Sequence, residues 1–218
     1  MPTRTQYIWL EIALCGLLAV AIFNGRAAAA EKTTGDTYTL NTCPVMDTKL
    51  DAMAAPVVYD YEGREIRFCC KDCEGKFKAD PATYITKIDA AMVKQQIPYY
   101  PLDTCLVTGE KLGANGQKPI DYVYNNRLVR LLNAEAVEKF KSDPATYLAK
   151  LDKAVIEKQK PGYPLDTCVV SGEKLGAMGS PIDYVVGNRL VRFCCQGCVG
   201  AFTKNPLPYL KKLDAAAK

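Results

Sequence analysis

The chain has no histidine. That removes the commonest acid–base catalyst and the commonest neutral metal ligand, so any site must be built from sulfur and oxygen. Runs of lysine or arginine are also missing, and no basic patch is interleaved with aromatics. With a net charge of only +4, nucleic acid is not an expected partner. Carboxylates are plentiful, but no pair is placed as acid and base, so no enzyme activity is expected. Hydrophobic and charged fractions of 49% and 24% exclude a disordered chain. What the chain does have is ten cysteines in 218 residues.

The first thirty residues read apart from the rest. Arg4 precedes an apolar run from Tyr7 to Phe23, and four alanines (Ala27, Ala28, Ala29, Ala30) then offer a cleavage site before Glu31. The run is short of the ~20 residues of a spanning helix, and Glu11 lies inside it. Residues 1–30 are therefore expected to be a cleaved signal peptide or, if retained, an anchor formed by residues 7–23. Either way the remainder is expected to be exported, periplasmic or secreted. Leu14 occupies the position before Cys15 where a lipidation box needs a small residue. Loss of Cys15 leaves nine cysteines, an odd number that a complete disulfide scheme would strand.

Beyond that segment the chain repeats itself three times. Copy one runs over residues 41–91, copy two over 100–154 and copy three over 163–216, with lead cysteines Cys43, Cys105 and Cys168 spaced 62 and 63 positions apart. The joints "IPYYP" (97–101) and "KPGYP" (160–164) separate them. The expected organisation is repeat one over 39–97, repeat two over 98–160 and repeat three over 161–218. Each copy reads as a cysteine loop, two short β-prone runs, a short helix and a longer helix, an α+β unit. The runs join at Glu62-Gly63, Asn125-Asn126 and Gly187-Asn188, residues that accept the positive φ of a tight hairpin turn. Asp80, Asp143 and Asn205 are the predicted N-caps of the last helices, with Pro81, Pro144 and Pro206 at the first helical position.

The repeats also locate the cysteines. Cys43 lies in the loop, and Cys69, Cys70 and Cys73 sit where the second strand becomes a helix. Copy three places Cys168, Cys194, Cys195 and Cys198 identically, with a first gap of 26 positions in both copies. A loop thiolate and helix-start thiolates can converge on one ion, and the N–H groups and dipole of the helix end favour the thiolate form.

The pattern FCCxxC…F…DPxxY after a C-x-V-[ST]-G loop resembles the YHS/TRASH-type heavy-metal-binding domain, a treble-clef-like zinc-finger unit. Cys43, Cys69, Cys73, Cys168, Cys194 and Cys198 carry the resemblance, which covers nearly all of residues 41–214. It implies binding of zinc, copper or another soft metal in trafficking, sequestration or sensing, with another metal-handling protein as a conceivable partner. Two features depart from the family: the histidine that helps to name it is missing, and copy two keeps only Cys105.

Comparing the copies ranks the ligands. In copy two Leu132, Asn133 and Ala136 stand in place of Cys194, Cys195 and Cys198. Leu132 and Ala136 are spaced i, i+4, so that face is expected to point inward, and Asn133 is expected to cap a helix. By the same comparison Cys69 and Cys73 are expected inward beside Cys43, and Cys194 and Cys198 beside Cys168. Cys70 and Cys195 fall at the cap, as fourth ligands or as reactive thiols. The expectation is two ions per chain, Zn(II) with four thiolates or Cu(I) with three. Copies one and three are expected to need their ions to fold, and copy two to close without one.

Other readings of the same residues stand beside this one. Each quartet could form two disulfides, Cys70 and Cys73 could be a redox dithiol, and the ions could merely hold an interaction scaffold together. Cys105 reads as a small buried hydrophobe. Met46, Met53 and Met178 read as core gap-fillers rather than soft ligands. Arg67, Arg130 and Arg192 read as charges on a strand face.

Overall fold

A hairpin whose turn falls on two residues at positive φ must be of the type that matches strand twist, and the chain uses this device three times. In the computed structural model, which describes residues 35–51 and 55–217, β1 (Val57–Tyr61) pairs antiparallel with β2 (Arg64–Phe68). β3 (Ile120–Tyr124) pairs with β4 (Arg127–Leu131), and β5 (Ile182–Val186) with β6 (Arg189–Phe193). The turns are Glu62-Gly63, Asn125-Asn126 and Gly187-Asn188, every one at positive φ. The expected signal or anchor segment, Cys15 and Met53 lie outside the described residues.

Each hairpin leads into two helices. These are α1 (Lys71–Ala79) and α2 (Pro81–Gln96), α3 (Ala134–Ser142) and α4 (Pro144–Gln159), and α5 (Gln196–Lys204) and α6 (Leu207–Ala216). The described residues are thus mixed α+β, with three small antiparallel hairpins and six helices, none long and apolar enough to cross a membrane. Phe77, Phe140 and Phe202 are fully buried and fix the short helices. Each ring packs against tyrosines of its own hairpin and long helix, at centroid separations of 5.3–6.2 Å.

Asp80 and Asp143 cap α2 and α4 by accepting the N–H of Thr83 and Thr146. Asn205 does not act in the same way, because the residue three positions on is Pro208, which has no N–H to donate. There α6 begins one residue later, with Pro206 itself as the capping position.

The copies interlock through amide side chains. Gln96, at the end of α2, donates to the Asn126 carbonyl and accepts from the Leu128 N–H at 2.8 Å each, gripping the next hairpin. Gln159 repeats this on Asn188 and Leu190 at the same distances. Asp36, just ahead of copy one, takes a forked ion pair from buried Arg127 and the Gly187 N–H. Copy three returns to copy one through Leu207, which is part of the copy-one core.

Arg67 closes that return and corrects the reading of it as a strand-face charge. It is 2% exposed, pairs with Glu65 at 2.7 Å and donates to the Thr203 carbonyl of copy three. Arg130 and Arg192 do lie on their strands, paired with Asp121 and Asp183 directly across the hairpins. In copy one the residue across from Arg67 is Val58, so the guanidinium has no carboxylate there and turns inward.

Candidate metal centre

The lead cysteine of each copy sits in a knuckle pinned by one bridge: Thr42 with Lys49, Thr104 with Lys111, Thr167 with Lys174. The N–H groups of Cys43, Cys105 and Cys168 donate back across it at 2.7–2.8 Å to Thr48, Glu110 and Glu173. This leaves N–H groups two and three positions on pointed at the sulfur. The chain must turn sharply one residue further, where Gly109 and Gly172 take φ of 77° and 78°. Copy one places Asp47 at that position, φ 56°, and ties it to Lys87 of α2 at 2.8 Å.

Two groups of sulfurs result. Cys43, Cys69 and Cys73 lie within 4.8 Å of one another, as do Cys168, Cys194 and Cys198. Among the described residues these are the groups of three or more potential ligands, and cysteine alone builds both. Cys43, Cys73 and the whole second triad are buried, while Cys69 is half-buried. Cys70 and Cys195 are not members of the triads but stand beside them. Their sulfurs are 3.3 Å from Cys73 Sγ and 3.6 Å from Cys198 Sγ. Cys70 is exposed and Cys195 half-buried, each at the N-cap of its helix.

The thiols are not equally ready to ionise. Burial alone would raise Cys168, but the Ser171 N–H and hydroxyl, with the N–H groups of Cys194 and Val170, bring it down to about 6. Burial is likewise outweighed at Cys43 by the N–H groups of Cys69, Met46 and Val45, and its pKa is lowered. Cys70 and Cys195 are lowered chiefly by the N–H groups of Cys73 and Cys198, the open donors of a helix start. Burial raises Cys69 and Cys73, and pushes Cys198 up to about 12. Each cluster therefore sets a lead sulfur whose surroundings favour the thiolate beside a helix-start thiol, Cys73 or Cys198, whose thiolate burial disfavours.

Such a donor set suits a soft ion. Three thiolates fit Cu(I), and four, with Cys70 or Cys195 included, fit tetrahedral Zn(II). The residues present thus offer cysteine groups able to hold a metal ion in two places, consistent with the two ions expected per chain.

Three details were not foreseen. The Ser171 hydroxyl lies 3.3 Å from Cys194 Sγ, so the [ST] of the loop belongs to the site and not only to the turn. Met46 and Met178 are 57% and 65% exposed and fill no core gap. Cys105 is buried as expected, yet its pKa too is lowered. Burial opposes this, and Thr108 with the N–H groups of Val107 and Leu132 overcomes it. Comparison of the chain with protein-family models, curated proteins and solved structures finds no match.

Proposed function

We propose that this protein binds two soft metal ions, Zn(II) or Cu(I), one in each outer copy, and serves in metal trafficking, sequestration or sensing outside the cytoplasm. The observation that carries the reading is the convergence, twice, of three cysteine sulfurs within 4.8 Å, in a frame whose third occurrence lacks them. In this reading the units are treble-clef-like members of the YHS/TRASH type, and residues 1–30 direct export. Metal ions are the ligands, no reaction is catalysed, and another metal-handling protein is the natural recipient. Cys70 and Cys195, more exposed than the sulfurs they adjoin, would be the first thiols met by an arriving ion.

The test is elemental analysis of protein purified without oxygen, paired with a count of free thiols. Two ions per chain are expected, and Cys105→Ala should leave that number unchanged. Three ions, or the loss of one with Cys105, would show that copy two binds metal. Metal-free protein with its outer cysteines oxidised would favour the redox reading, for which the 3.3 Å separation of Cys70 and Cys73 is the supporting geometry.

A further inference from the structure

The two clusters share their cysteine pattern but not their surroundings. The residue three positions after the lead cysteine is Met46 in copy one, Thr108 in copy two and Ser171 in copy three. Its place in the knuckle is next to the lead sulfur, which the N–H of this residue faces in all three copies. In copies two and three the hydroxyl is occupied by the loop, accepting the N–H of Glu110 or Glu173 at 3.3 Å. Ser171 also reaches Cys194 Sγ at 3.3 Å, so a side chain at this position can touch the cluster. Met46 has no hydroxyl for either task, and it is 57% exposed beside a cluster whose Cys69 is only half-buried. Its loop is held from the next residue by the Asp47–Lys87 pair.

We infer that Met46 is a metal ligand and that it makes the copy-one cluster the Cu(I) site, its thioether joining the thiolates of Cys43, Cys69 and Cys73. Copy three, with Ser171 in that position, is the Zn(II) site. A thioether is a soft, neutral donor that Cu(I) accepts and Zn(II) does not favour. It adds no charge to the thiolates that would hold the ion, and its flexible stem lets it close over an ion that has entered through the open side. A serine hydroxyl is a harder group, and here it solvates sulfur. The inference rests on the metal-binding reading above and deepens it.

The experiment uses the full reduced chain without oxygen. Cu(I) is titrated in competition with bicinchoninate, and Zn(II) against a chromophoric chelator. Met46→Ser should lower the tighter Cu(I) affinity by about ten- to a hundredfold, the scale on which a supporting group tunes a metal site, and leave Zn(II) affinity unchanged. Ser171→Met should raise Cu(I) affinity in copy three, and Met178→Ser should change nothing. In selenomethionine-labelled protein loaded with one Cu(I), selenium-edge absorption should show a copper neighbour that Met46→Ser abolishes. Indifference of Cu(I) affinity to Met46→Ser, or no copper neighbour at selenium, overturns this inference and leaves the two-site reading intact. A chain that binds neither ion overturns both.

Discussion

In copy three the knuckle cysteine Cys168 shares its core with Cys194 and Cys198; in copy two Cys105 shares its core with Leu132 and Ala136. The backbone around them is the same. Asn133 and Cys195 enter their helices at φ −155° and −158°, the hairpins have the same five-pair register, and the knuckle bridge recurs. The space between knuckle and helix start is therefore a slot that sulfur or carbon can fill. Copy two even keeps the polar half of the site, the N–H groups that favour a thiolate at Cys105. An apolar clasp closes by burying methyl groups, whereas in the proposed metal-binding reading a cluster of thiolates at a helix end closes around a cation.

The most direct way to break this comparison is to exchange the clasps. Leu132→Cys with Ala136→Cys, set against the existing Cys105, should create a third site and raise the metal content by one ion per chain. Cys194→Leu with Cys198→Ala should remove one ion and leave a folded copy three. A structural zinc site contributes on the order of 10 kcal/mol to closure, so these are the largest effects expected. Elemental analysis of both variants decides. A metal content that moves in neither would mean that the two slots are not equivalent.

Much of this was legible because the chain states its design three times. Turn positions, the Asn133 cap and the grouping of Cys43 with Cys69 and Cys73 all follow from local rules applied to aligned copies. The interlocking of the copies was not legible. Gln96 and Gln159 look like any polar residues at a helix end, and only the next hairpin, some thirty residues on, supplies their partners. Arg67 misled for a related reason: its position matches Arg130 and Arg192, but the aspartate across the hairpin is missing in copy one. The absent Asn205 cap could have been read, since it needed only the observation that Pro208 lacks an N–H.

Removing the metal sharpens the comparison at an intermediate scale. Under reducing conditions a chelator should expose the helix starts and hairpins of copies one and three to hydrogen exchange, while residues 100–158 keep their protection. The interlock refines this expectation. The turn at Asn125-Asn126 is held by Asp36 and Gln96, so it should be the part of copy two that loosens when copy one opens. Exchange read segment by segment, with and without chelator, is the measurement. If the β4–α3 corner of copy two opens along with the others, the apolar clasp is not self-sufficient. If copies one and three are indifferent to chelation, their thiol clusters are not what closes them.

The smallest effect lies at the cap itself. Asn133 accepts the Ala136 N–H at 2.9 Å, whereas Cys70 and Cys195 occupy the same position with no side-chain cap bond to a helix N–H. Asn133→Ala should cost about 1 kcal/mol, the usual loss for such a cap. Asn133→Cys should cost as much while the thiol is protonated and regain part of it as the thiolate forms, because a thiolate at a helix start accepts the N–H that the amide oxygen had accepted. The lowered pKa values of Cys70 and Cys195 give the sign. A thiol whose folded pKa lies below its unfolded one, ~8.5, adds stability that is complete above the unfolded value and is lost as the pH falls through the folded value. Denaturant unfolding of the metal-free reduced chain should therefore show the Asn133→Cys variant gaining on the Asn133→Ala variant as the pH is raised from 6 to 9. A difference between the two that is flat across that range would mean that the N-cap cysteines of copies one and three owe nothing to the helix start.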